Sequence, residues 1–222
     1  MCVEETKKIL FCPIVREGCM RWHREGSGYS RSNMMEAAKA GDEVGLAQMI
    51  ASRRDDIFKT DETGDAPLHV AMANGHVRCA ELLLLAGADL HQSNHGGGVP
   101  LHWACRMGHV ECARLAISTG ADIEVTNPNG TRPLHLAAFE GHKDCVQLLL
   151  DAGALADVRN AFGKTPRDRA EDAGHVYIVS MLDSAVGYRV RSRSSKAIVG
   201  AATLAVVAAL AIRASRYYYR AR

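Results

Sequence analysis

The sequence has 222 residues, of which 47% are hydrophobic, 23% charged and only 5% aromatic. That composition excludes wholesale disorder and allows one or two domains, with a core built mostly of Leu, Ala, Val and Met. The net charge of +2 divides unevenly: residues 33–183 carry 21 acidic and 13 basic side chains, residues 184–222 eight basic and no acidic ones, and so acidic a centre argues against a nucleic-acid surface.

Residues 1–32 read as a poorly ordered N-terminal segment, with linker-like Gly26-Ser27-Gly28 and Ser30-Arg31-Ser32 at its end. Glu4 and Glu5 interrupt its start, and the apolar run Ile9–Val15 has Pro13 inside it, unlike a secretory leader. The seven cysteines are Cys2, Cys12, Cys19, Cys79, Cys105, Cys112 and Cys145, with no CxxC pair. An odd count without a leader leads us to expect a reduced, cytosol-facing protein.

From residue 33 a repeat organises the chain. Pro67, Pro100, Pro133 and Pro166 are 33 residues apart, and Gly64, Gly97, Gly130 and Gly163 keep the same step. So do Gly75, Gly108, Gly141 and Gly174, each followed by a histidine: His76, His109, His142 and His175. Columns held in one phase are the mark of a stacked-repeat architecture. Within a unit, Asn127-Pro128-Asn129-Gly130 is a turn. Pro133 then suits the first turn of a helix, where its missing N–H costs nothing. Leu134, Ala137 and Ala138 give that helix an apolar face, and Gly141 ends it. A second helix runs through Val146, Leu148, Leu149 and Leu150. Helices this short need stacked neighbours. An earlier, looser unit around Ala37-Ala38-Lys39-Ala40-Gly41-Asp42 lies one residue out of step.

These residues resemble the ankyrin repeat. The family's T-P-L-H motif is matched by Ala66-Pro67-Leu68-His69, Val99-Pro100-Leu101-His102, Arg132-Pro133-Leu134-His135 and, more loosely, Thr165-Pro166-Arg167-Asp168. The tails LLLLAGADL (82–90) and LLLDAGALA (148–156) look like its second helix and exit turn. The resemblance covers residues 33–183 and implies an all-α solenoid of about five units (33–60, 61–93, 94–126, 127–159 and 160–183) with β-hairpin-like fingers. The motif threonine is replaced by Ala66, Val99 and Arg132, which leads us to expect less rigid fingers there. Arg167 and Asp168 make the last unit look like a water-facing C-terminal cap, and the first unit, with Lys39, Asp42 and Glu43, an N-terminal one.

The resemblance also implies binding of a protein partner through finger tips and the concave face of the first helices. Carried onto this chain, those positions are Glu62, Thr63, Asp65 and Asn74 in one unit and His95, Arg106 and Met107 in the next. They continue as Asn129, Thr131, Phe139 and Glu140, then Phe162 and Lys164. Phe139 and Phe162, with Met107 and Arg106, are the expected anchors, because apolar side chains at solvent positions typify interfaces. Trp103 is expected in the core.

Ten histidines and seven cysteines invite a metal reading, but the repeat opposes it. Members of one column stand a helix spacing of roughly 10 Å apart, too far to share an ion. We expect turn-bonding imidazoles, core thiols at Cys79, Cys112 and Cys145, no metal and no cofactor. There is no GxSxG, Walker or HExxH motif, and Gly96-Gly97-Gly98 lacks a following GK[ST] helix. The expectation is a binding protein, not an enzyme.

After a basic linker, residues 184–196, comes the run Ala197–Ile212 without a charged residue, bounded by Lys196 and Arg213. As a helix its 16 residues span roughly 24 Å, short for a hydrocarbon core of about 30 Å. Snorkelling of the flanking cations closes part of the gap. Ala197, Ile198, Val199, Leu204, Val206, Val207, Leu210 and Ile212 leave no polar face except Thr203. A helix apolar all round is explained better by lipid than by a surface or a capping role. Residues 197–213 are therefore the candidate transmembrane helix and residues 214–222 a basic tail, with Tyr217, Tyr218 and Tyr219 at interface depth. The arrangement resembles a tail-anchored protein of the mitochondrial outer membrane or peroxisome, with its repeats in the cytosol. Ala197, Ala201, Ala205 and Ala209 would permit helix pairing in lipid. The alternative is a soluble, cytoplasmic regulator whose C-terminal helix docks on the repeats or on a partner.

Overall fold

The computed structural model describes residues 33–186. The expectations for residues 1–32, for the linker beyond residue 186, for the apolar run 197–213 and for the tail 214–222 lie outside them. Pairs of short helices follow in order: α1 (Met34–Ala40) and α2 (Glu43–Ser52), then a 3-10 turn at Arg54–Phe58. Next come α3 (Pro67–Ala73) with α4 (Val77–Leu85), α5 (Pro100–Met107) with α6 (Val110–Ser118), and α7 (Pro133–Glu140) with α8 (Lys143–Asp151). The last pair is α9 (Pro166–Asp172) and α10, helical over residues 176–186. That helix continues past residue 183, where the last unit was expected to end.

Each proline of the 33-residue column opens a helix, as its fixed φ and missing N–H suit. Gly108 and Gly141 close α5 and α7 in the left-handed conformation. The first helices stack on one another in one layer (α1, α3, α5, α7, α9), and α2, α4, α6 and α8 stack in a second. One apolar seam runs between the layers. It takes Leu68, Leu101 and Leu134 from the first helices and Leu83, Cys112, Ala116 and Leu149 from the second. Met34, Leu46 and Ile57 seal the first unit, and Ile178 and Leu182 the last. Arg167 of the expected cap is bound on the outside by Asp183 and Glu171, both at 2.7 Å.

The expected fingers are tighter than hairpins: there is no strand among the described residues. Each finger is one closed turn, such as Asn94 N–H to Gly98 O at 2.9 Å with Gly97 N–H to Asn94 O at 2.9 Å. Neighbouring fingers touch through His95 N–H to Thr63 O at 3.0 Å and Ala161 N–H to Asn129 O at 2.9 Å. Pro128 occupies the equivalent position between them and has no N–H to give.

Candidate protein-binding face

Two columns of histidine hold the face together, in opposite directions. His69, His102 and His135 are buried in the first helices. Their Nδ1 atoms accept the N–H of Ala66, Val99 and Arg132 at 3.1, 3.3 and 3.3 Å. With Nδ1 an acceptor, the proton lies on Nε2, which donates forward to the next finger. The partners are the carbonyls of Gly98, Thr131 and Lys164, at 3.2, 3.0 and 3.2 Å. Burial pushes all three imidazoles below their ordinary pKa, His135 to about 4.

The second column reaches backward. Nε2–H of His76, His109, His142 and His175 donates to Lys39 O, Ala73 O, Arg106 O and Phe139 O, each at 2.9–3.0 Å. Those carbonyls end the preceding first helices, where no intrahelical donor remains. The imidazoles of this column bond across units, whereas those of the first column bond within their own unit as well.

The replaced threonines also find an account. In the last unit Thr165 Oγ1 accepts Asp168 N–H at 3.1 Å, and Asp168 returns a carboxylate to Thr165 N–H at 2.9 Å. Where Val99 and Arg132 stand, the amides of His102 and His135 turn to the N-cap carbonyls at 2.9 and 3.0 Å instead. The imidazole supplies the return bond. A backbone carbonyl thus takes the amide that the lost hydroxyl would have held.

One functional column escaped the sequence reading. Asp61, Asn94, Asn127 and Asn160 each stand three residues before a finger glycine. Their side-chain oxygens accept the finger's own amides: Asn127 Oδ1 takes Asn129 N–H at 3.0 Å and Thr131 N–H at 2.9 Å, and Asn160 Oδ1 takes Phe162 N–H and Lys164 N–H at 3.0 Å each. The 33-residue step of this Asp/Asn column was the available signal.

The residues expected to bind a partner divide by exposure. Glu62, Thr63, Asn74, His95, Arg106, Met107, Asn129, Glu140, Phe162 and Lys164 are exposed, and Asp65 is half-buried. Met107 is 45% exposed and Phe162 71% exposed. Thr131 is buried inside its finger, so its carbonyl serves His102 and its side chain is not on the face. Phe139 is half-buried, with the Arg169 guanidinium 3.9 Å from its ring centre. Several polar members are already partnered: Arg106 with Glu140 at 3.5 Å, Lys164 with Asp172 at 3.1 Å, and Asp65 with Asn94 at 2.8 Å. The two exposed ion pairs contribute little to stability. Trp103, expected in the core, is only half-buried and lines a cavity on this face.

The thiols sit elsewhere. Cys79, Cys112 and Cys145 are fully buried between the layers. Burial, aided by Glu111 and Asp144, pushes Cys112 and Cys145 up to about 11.

A family model described as Ankyrin repeats (3 copies) matches residues 34–127 and 115–193. The chain belongs to the ankyrin-repeat family. A search of curated proteins found no match to it. Among the described residues, no helix is long and apolar enough to cross a membrane.

Proposed function

We propose that this chain is a membrane-anchored adaptor. Its ankyrin repeats bind a protein partner on the cytosolic side, and residues 197–213 hold them to the bilayer. It carries no reaction of its own. Phe162 carries the binding half: a phenyl ring 71% exposed at a finger tip sits where burial by a partner is rewarded by about 1.5–3 kcal/mol. The anchoring half rests on the uncharged run Ala197–Ile212 between Lys196 and Arg213. Its shortness and basic flanks favour the outer mitochondrial or peroxisomal membrane.

Carbonate extraction of membranes tests the anchor. The full chain is expected in the pellet and a chain lacking residues 197–222 in the supernatant. A full chain that extracts into the supernatant overturns the anchor.

A second reading has one observation in its favour. A groove of about 670 Å3 lies between α8 and α10, lined by Leu150, Ala154, Ala156, Tyr177 and Met181, and by Ala185 beside the last described residue. In that reading the apolar run docks there and the protein is a soluble regulator, which the same extraction distinguishes.

A further inference from the structure

A cavity of about 360 Å3 opens on the first-helix face between α1, the first finger, α3 and α5. It exists because Val70 and Ala73 are small where the next unit has Trp103 and Arg106, one 33-residue step on. Its apolar wall is made of Met35, Val70, Ala73 and the Trp103 indole. Trp103 also keeps its Nε1–H buried, with no hydrogen-bond partner among the described residues.

The lining carboxylates are Glu36, Asp61 and Asp65. Among the described residues, Asp61 and Asp65 accept from neutral donors, namely Thr63, Asn94 and backbone amides. No ion pair within the described residues neutralises any of the three. Against them stand Lys39, the one Lys or Arg among the described lining residues, and His69, held neutral because its Nδ1 accepts Ala66 N–H. The indole already attracts a guanidinium, since Arg106 lies 5.6 Å from its centre.

We infer that the cavity beside Trp103 receives a lysine or arginine side chain of the partner protein. The alkyl stem lies on Met35, Val70 and the indole, and the cationic head meets the three carboxylates. This deepens the adaptor reading and rests on it.

The test is an NMR titration of the full chain in zwitterionic detergent. It follows the Trp103 indole N–H resonance, which W103F identifies by its loss. The probe is acetyl-Gly-Arg-Gly-amide, and its citrulline counterpart keeps the shape without the charge. A saturable shift is expected with the arginine probe, weakened about tenfold by the citrulline change and by E36Q/D61N. D61N copies the asparagine that the other three fingers use at this position, and Glu36 is exposed, so the variant keeps the fold. K39A strengthens binding, because it removes the competing cation. No shift, an equal shift with citrulline, or unchanged affinity in E36Q/D61N overturns the pocket. The probe needs no partner, so that outcome leaves the adaptor reading to its own test, loss of partner capture in F162D.

Discussion

The His142 imidazole lies so close over Gly108 that a Cβ placed on that glycine would stand 2.5 Å from Nδ1. Gly108 has φ +77° and ends α5, and the same imidazole takes the Arg106 carbonyl at 2.9 Å. One glycine therefore serves a helix stop and a contact between units. Replacing it with alanine adds left-handed strain and displaces the ring, so G108A is expected to lower unfolding stability by about 2–4 kcal/mol. Gly120 has φ +99° but nothing within 4 Å of its Cβ position. G120A carries the strain alone and costs about 1 kcal/mol. Urea unfolding of the two variants measures the difference, and equal losses would remove the imidazole contact from the account.

The buried histidines make stability depend on pH. His135 is pushed from an ordinary 6.5 down to about 4, first by burial and then by Arg132 nearby. The unfolded chain therefore binds the proton more readily than the folded one. The stabilising contribution is complete above about pH 6.5 and is lost as pH falls through about 4. Protonating Nδ1 also ends its bond to Arg132 N–H. Chemical unfolding at a series of pH values from 7 to 4 should show a loss of about 2–3 kcal/mol attributable to His135. H135A should be less stable at pH 7 and show a shallower decline. A decline as steep as that of the unsubstituted protein would refute the assignment.

Asn127 is expected to tolerate aspartate and not alanine. Its Oδ1 holds two amides of the third finger, and Asp61 performs the same task in the first. N127A should cost about 1–2 kcal/mol, with N127D within about 0.5 kcal/mol of the parent. Thermal unfolding of both variants checks the pair.

The core thiols should be silent to alkylating reagents. Cys112 and Cys145 are pushed to about 11 and Cys105 well above the usual thiol range, burial being the main cause. Thiolate, the reacting form, is scarce at pH 8. In a C2S/C12S/C19S background, labelling should appear only with denaturant. Rapid labelling of the native protein would contradict the packing between the two helix layers.

Phe139 and Phe162 should separate under charge substitution. Phe162 is exposed, so F162D should leave thermal stability within about 0.5 kcal/mol while abolishing partner capture. Phe139 is half-buried beneath Arg169, so F139D should lose about 1–3 kcal/mol along with any binding effect. A destabilised F162D would move that ring from the surface into the packing.

Much of this fold was legible because each unit restates it. The columns of Pro, Gly and His recur every 33 residues, and each carries a local rule: proline opens a helix, glycine closes one. Those rules act within a few residues and need no neighbour. The burial of Cys79, Cys112 and Cys145 followed as directly, from their place on an apolar helix face. What each imidazole bonds through Nε2 was not legible. That partner lies 29 or 36–37 residues away, and only stacking brings the next finger or the previous helix end within reach. The fate of single side chains on the face was likewise decided by neighbours. Phe139 is covered because Arg169 stands one repeat step beyond Leu136, and Trp103 borders a cavity because Val70 and Ala73 are small. A repeating sequence determines the unit, since its turns and helices are local; the stack alone decides which side chains stay open to a partner, since exposure belongs to pairs of units.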